Sequence, residues 1–270
     1  MTSPHGPVHD AGYRDVDPVS GSSAARSWWD ENAAEYLDEH GEFLGDNDLC
    51  WCPEGLRESD ACLLGPVAGR SVLEIGAGAG QGSRWVRDHG GHAIATDISH
   101  GMLASGRARD TSGAPVAMVQ ADAMALPFGD ASFDIVFTAY GALPFLADDN
   151  RVHAEVARVL RDGGRWVFSV THPVRWAFPD VATAAGLTVS KSYFDRRPYV
   201  ETDEAGTVVY AEYHRTIGDH ISAVVGAGLT VRTLVEPEWP AGHHAVWGGW
   251  GPERASLPGT LIVVADRPAR

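Results

Sequence analysis

The 270-residue sequence predicts an α/β fold built on a mostly parallel sheet. Three observations carry that prediction. From Ser71 onward, short runs rich in β-branched and aromatic residues alternate with amphipathic stretches, the pattern of repeated strand–helix–strand units. The apolar run Val72-Leu73-Glu74-Ile75 leads straight into glycines at alternate positions, Gly76, Gly78 and Gly80, where such folds turn from a strand into a helix. A hydrophobic content of 44% over this length suffices for one full core, or a core plus a small appended cap.

Taken in order, residues 1–22 are rich in Pro, Gly, Ser, Asp and His, and are expected to form a loose tail that cannot repay its ordering entropy by burial. Residues 23–66 form an N-terminal helical segment. In its first part Trp29, Ala33, Tyr36 and Leu37 fall at helical spacing among Asp30, Glu31, Glu35 and Asp38. A second, short helix is expected over 54–64, after Pro53 and before Gly65-Pro66. The main domain covers 67–270. Strands are predicted at 72–75, 93–96, 116–120, 133–138, 165–170, 229–235 and 261–265, with helices near 80–89, 99–109, 148–161 and 216–226. Val152, Val156, Val159 and Leu160 mark one face of the third helix, and Gly163-Gly164 is expected to stop it. The stretch 173–215 is far longer than the roughly 2–6 residues of an ordinary connection, so it is a cap insertion with structure of its own. Within it, 199–202 and 207–214 flank Asp203-Glu204-Ala205-Gly206 as a hairpin.

Charge narrows the partners. With 21 Lys+Arg against 36 Asp+Glu the formal charge is −15, a field that repels polynucleotide phosphates. Lys191 is the only lysine, a bias that reflects coding composition rather than chemistry. No stretch approaches the roughly 20 apolar residues of a membrane span, and the start MTSPHGPVHD lacks the pattern of a secretory leader. These features predict a soluble, cytoplasmic protein with no nucleic-acid or membrane partner. Cys50, Cys52 and Cys62 are odd in number and show a C-x-C, so they read as reduced structural thiols. The twelve histidines are scattered, and no spacing suggests a metal site.

The glycine loop decides the ligand class. A dinucleotide site would show G-x-G-x-x-G, but the sixth position is Gln81 counted from Gly76 and Ser83 counted from Gly78. The pattern is E-x-G-x-G-x-G from Glu74 to Gly80. Through Glu74-Ile75-Gly76-Ala77-Gly78-Ala79-Gly80 the chain resembles the class I S-adenosylmethionine-dependent methyltransferases. The likeness continues through Ala95-Thr96-Asp97-Ile98-Ser99, Gln120-Ala121-Asp122-Ala123 with Leu126-Pro127-Phe128, Phe133-Asp134-Ile135-Val136, and Leu160-Arg161-Asp162-Gly163-Gly164-Arg165. It covers roughly residues 70–172, and implies a Rossmann-like seven-stranded sheet whose last strand, 261–265, runs antiparallel.

The resemblance implies S-adenosylmethionine as cofactor and S-adenosylhomocysteine as its product. In the family the acid at Asp97 accepts the ribose hydroxyls, and Asp122, beside Ala123, accepts from the adenine amine. Read from chemistry alone, Gly76, Ala77, Gly78 and Gly80 let the amino acid end of a ligand lie against backbone, and Glu74 binds its ammonium directly or through water. Ile98 and Met102 are apolar neighbours for the adenine faces, or plain core residues. Asp97 reads alternatively as a helix cap before Ser99, and Asp122 as a turn cap. The resemblance also implies an N-terminal lid with an aromatic near the methionine moiety. Tyr36, or Trp29 or Trp28, supplies it, unless Trp29 and Tyr36 only pin the helix to the core.

Two residues are candidates for chemistry. His172, at the end of the fifth strand, is a general base or a structural histidine at the turn before Pro173. Tyr140, with Leu143, stands between methyl donor and acceptor, or packs its own loop. Tyr193, Tyr199, Tyr210, Tyr213 and His214, with Glu236-Pro237-Glu238-Trp239 and Trp247-Gly248-Gly249-Trp250, wall an acceptor pocket or form the core of the cap. The expected reaction is in-line methyl transfer to O, N or C of a small molecule, a secondary metabolite on this composition, by a monomer or homodimer. Alternatives are a carboxyl or peptide-terminus methyltransferase, a catalytically silent S-adenosylmethionine-binding module, and a nicotinamide enzyme.

Overall fold

The computed structural model describes residues 8–269. The chain enters through β1 (Asp10–Tyr13), α1 (Pro18–Leu44) and one helical turn, α2 (Glu58–Ala61). Then come β2 (Ser71–Ile75), α3 (Gln81–Asp88), β3 (His92–Asp97), α4 (His100–Arg109), β4 (Ala117–Gln120), β5 (Phe133–Ala139), α5 (Asp149–Val159) and β6 (Leu160–Thr171). A hairpin of β7 (Tyr199–Thr202) and β8 (Val208–Glu212) leads to α6 (Ile217–Gly226), β9 (Thr230–Val235) and β10 (Thr260–Asp266).

Seven strands form the main sheet in the order β4-β3-β2-β5-β6-β10-β9. β4, β3, β2, β5 and β6 pair in parallel, and β10 inserts antiparallel between β6 and β9. Both faces of the central strands β2, β5, β6 and β10 are largely buried, which is why these read as continuous apolar runs. On one face Leu73, Val136, Phe168 and Val263 pack against Val152 and Val156 of α5 and Val224 of α6. On the other, Val72, Phe137, Val167 and Ile262 pack against Trp51, Leu64 and Val86. Among the described residues no helix is long and apolar enough to cross a membrane.

The structure departs from the sequence expectations at three places. Within 1–22, residues 1–7 lie outside the described residues, but β1 pairs antiparallel with β7 and completes a three-stranded cap sheet, β1-β7-β8. Strand pairing uses backbone groups, which a polar composition still supplies. α1 begins within the same stretch, at Pro18, because the Asp17 carboxylate accepts the N–H groups of Val19 and Ser20. The helix expected over 54–64 shrinks to α2, since the buried Glu58 carboxylate takes the N–H groups of Leu63 and Leu64 and the Trp51 indole N–H. Finally, α5 stops at Val159, ahead of Gly163-Gly164, and both glycines lie inside β6. The N–H groups of Ala131 and Ser132 take the Arg158 and Val159 carbonyls, which draws the chain out of the helix.

Two ties fix the upper layer. Asp30 of α1 accepts the Ser99 hydroxyl at 2.7 Å and the Gly101 N–H at 2.9 Å, clamping α1 to the start of α4. At the far side Arg215 meets the buried Asp149 at 2.9 Å.

Trp51 is fully buried, its ring is 5.9 Å from Phe137, and its carbonyl accepts the Ser169 hydroxyl. Trp51→Ala is expected to cost about 3–5 kcal/mol of unfolding free energy, read by urea denaturation. A loss under about 1 kcal/mol, the size of an ordinary surface change, would show that this face does not depend on it.

Candidate active site

The carboxyl ends of β2, β3 and β5 open into a cavity of about 1140 Å³, its mouth included. This is the crevice that an open parallel sheet leaves at its switch point, here between β2 and β5. Its floor is the turn after β2. Gly76 and Gly78 adopt φ of +60° and +54°, a region closed to most side chains. A Cβ on Gly78 would project into open space, with only Met102 Sδ at 4.0 Å, so the missing side chain is what keeps this stretch of backbone bare to a ligand.

Two buried carboxylates hold that turn. Asp97, at the end of β3, accepts the Gly78 N–H through Oδ2 and the Ser99 N–H through Oδ1, both at 2.8 Å. Burial raises its pKa, and it lines the cavity. Asp97 thus both steadies the loop and caps the turn before Ser99, while each oxygen retains a second lone pair. Glu74 accepts the Ser83 N–H and hydroxyl at 2.7 and 2.6 Å, lines the cavity, and is pushed by burial up to about 7.

The remaining wall is apolar. Ile98, Met102, Ala77, Ala121 and Ala123 line it. From α1 come Ser22, Ala25, Trp29, Tyr36 and Leu37, one side of the helix laid over the cavity. Trp29 stands edge-on to Tyr36 at 5.3 Å and to Phe145 at 5.4 Å. Trp247 stacks on His40 at 3.8 Å and meets Tyr36 at 6.1 Å and Tyr140 at 6.3 Å. Tyr140 lines the cavity with φ of +60°, a strained backbone for a bulky residue. Its N–H donates to Ser169 Oγ at 2.7 Å, and burial pushes its phenol up to about 12.

Eleven of the fourteen proposed site residues line the cavity, and three do not. His172 does not line the cavity. Its Nδ1 accepts the Val174 N–H at 3.1 Å, so Nε2 carries the proton and donates to Glu236 at 2.8 Å. With both nitrogens engaged and burial lowering its pKa, it is a turn-holding residue, not a base. Asp122 is absent from the wall, although Ala121 and Ala123 on either side are in it; its carboxylate accepts the Met124 N–H at 2.8 Å and closes a turn. Gly80 also stands outside the wall, facing β3 and β4, where a Cβ would meet Met118 Cε at 2.9 Å. Leu143 is buried in the core beneath the cavity. Phe145, Cys50 and the Asp30 clamp were not legible, because single residues in loops leave no periodic signal. Among the described residues, no group of three His, Cys, Asp or Glu side chains converges on one point.

Comparison with known proteins matches this geometry. Residues 73–168 match the family described as "Methyltransferase domain". A demethylmenaquinone methyltransferase of Clavibacter sepedonicus is 39% identical over 121 residues, which is 45% of this chain and 47% of that protein. The chain spans about half the length of the curated relatives it matches. Among solved structures, an S-adenosylmethionine dependent methyltransferase from Mesorhizobium loti is 25% identical with a TM-score of 0.62, covering 80% of this chain and all of that one. The 1,6-didemethyltoxoflavin-N1-methyltransferase of Burkholderia thailandensis, solved with bound 1,6-didemethyltoxoflavin and S-adenosylhomocysteine, shares the fold at 17% identity and a TM-score of 0.61, covering 96% of this chain and 95% of that one.

Glu74 generates a pH prediction. With its folded-state pKa raised to about 7 from 4.5, the folded protein holds a proton that the unfolded chain has released between those values. Its contribution to stability is therefore full below about pH 4.5 and falls as pH rises to about 7, by on the order of 3 kcal/mol. Glu74→Gln removes this component. Denaturation of both proteins across that range checks it, and parallel stability curves would overturn it.

Proposed function

From the match of residues 73–168 to the methyltransferase domain family, we propose that the chain transfers a methyl group from S-adenosylmethionine to an O, N or C nucleophile of a small molecule. The observation that carries the reading is the bare glycine turn held by Asp97 at the floor of a cavity roofed by α1. The donor set fits the cofactor: carboxylate oxygens for a vicinal diol at Asp97, the Glu74 carboxylate for an ammonium, exposed backbone at Gly76–Gly78, and an apolar slot of Ile98, Met102, Ala121 and Ala123 for a planar base. When bound, that cofactor supplies an electrophilic methyl group on a sulfonium centre.

The chain's own residues bind, orient and exclude water. Trp29, Tyr36 and Phe145 present aromatic faces and edges over the cavity, suited to a cationic centre and to a flat acceptor. Tyr140, its phenol held protonated well above neutrality, serves as a hydrogen-bond donor rather than a base. No general base is required where the acceptor's own lone pair attacks and alignment supplies the rate. The roof of α1, the cap sheet and the Trp247 loop favour a small acceptor over a polymer. The arginine-rich composition inclines toward specialised metabolism, and the demethylmenaquinone methyltransferases among the relatives toward a quinol-like ring; both fit a planar small molecule.

Calorimetric titration with S-adenosylhomocysteine tests the reading. Micromolar binding is expected, and Asp97→Ala should weaken it by about 1.5–3 kcal/mol, the worth of hydrogen bonds to a charged group. No binding by the wild type would sink the proposal, and an unchanged affinity in the variant would remove Asp97 from the site.

A further inference from the structure

The cap carries charged and aromatic side chains that the cofactor half of the cavity leaves unused. One face of the β1-β7-β8 sheet holds the buried Val200 and Ala211. The opposite face carries Tyr13, Tyr199, Glu201, Tyr210 and Glu212, set side by side by the pairs Tyr13↔Tyr199, Tyr199↔Glu212 and Glu201↔Tyr210. Tyr210 joins this face to the site, its ring 6.0 Å from the cavity-lining Phe145 and 5.5 Å from Trp28. Arg175 approaches from the loop after β6. Its Nη2 is 3.8 Å from where a Cβ on Gly248 would stand, next to Trp247 and thus to Tyr36 and Tyr140.

Tyr36, Tyr140, Arg175, Tyr210 and Glu212 are each only partly exposed. Two of them have hydrogen-bonding capacity to spare. The Tyr210 hydroxyl donates to Glu212 Oε2 at 3.3 Å, and Arg175 Nη2 donates to Asp180 at 2.6 Å. Among the described residues, Glu212 Oε1 and Arg175 Nη1 have no hydrogen-bond partner.

We propose that this face reads the methyl acceptor, a planar aromatic molecule that packs among Trp29, Phe145 and Tyr210, donates a hydroxyl or ring N–H to Glu212, and accepts from Arg175 through an adjacent carbonyl oxygen. The inference rests on the methyl-transfer reading of the site. A purely cationic or purely anionic ligand meets one of the two charges with the wrong sign, and leaves it desolvated. A neutral donor beside a neutral acceptor satisfies both, and charge on the protein side strengthens each bond. The aromatic walls supply contact area but no direction, so the polar pair sets the orientation of the ring.

A lactam probe tests this. 2-Quinolone places a ring N–H beside a carbonyl, and 1-methyl-2-quinolone lacks the donor. Both are titrated calorimetrically into the full-length protein, with and without S-adenosylhomocysteine. The wild type is expected to prefer 2-quinolone by about tenfold, the worth of one hydrogen bond to a charged group. Glu212→Gln should collapse that preference to within about twofold while leaving the affinity for S-adenosylhomocysteine unchanged. Equal binding of the two probes, binding of neither, or an equal loss for both in Glu212→Gln overturns the proposal, the last because a merely structural role weakens both alike. Glu212→Ala is the second variant, with the same expected collapse. A wild type that discriminates the probes but does not bind S-adenosylhomocysteine upholds the recognition face and fells the methyl-transfer reading, so the two failures are distinct.

Discussion

The bond from the Gly78 N–H to the Asp97 carboxylate is the constraint on which the site depends. It crosses from the turn after β2 to the end of β3 and fixes the height of the loop over the sheet. Asp97 lies there because β2 and β3 pair in parallel and in register, Ile75 beside Thr96, so both strands end at the same level. The same carboxylate takes the Ser99 N–H, and Ser99 in turn donates to Asp30 of the roof helix and accepts the Met102 N–H. One acid therefore ties loop floor, helix start and lid into a single hydrogen-bonded run. Its burial makes that run rigid, since an unpaired partner there would be costly.

Enclosure is the second organising feature. An open parallel sheet offers a crevice but no ceiling. Here α1 lies over the cavity, and the loop carrying Trp247, far away in sequence, packs on α1 at Tyr36 and His40. The Asp30 clamp holds α1 at its middle and the His40–Trp247 stack holds it near its C-terminal end. A cavity closed in this way makes weak polar groups matter, because charges facing it are poorly screened. The phenols of Tyr36 and Tyr140 are correspondingly raised by burial.

The main sheet was largely readable because its central strands carry apolar runs and most of the connections between them a helical periodicity. The ends were less readable. Gly163-Gly164 marks a break in composition, but strand pairing had already taken over at Leu160. The cap's third strand was not readable at all, since Asp10–Tyr13 joins β7 through backbone groups that any residue supplies. In the site, the glycine turn, Asp97, Glu74, Ile98 and Met102 were legible from their order along the chain. His172 and Asp122 stand outside the cavity wall for one reason: position beside a strand end shows that a side chain is near the crevice, not which way it points. The local backbone took both, Val174 N–H in one case and Met124 N–H in the other.

The sequence by itself determined the order of strands and helices, the turn chemistry after β2 and the acids that serve it, because these are local properties of short segments whose spacing is set by the fold's repeating unit. The tertiary structure alone decided what stands above the turn. Phe145 comes from the loop after β5, Leu37 and Ser22 from α1 and Cys50 from the segment before α2, and their meeting at one cavity depends on how the lid packs, which no interval along the chain records.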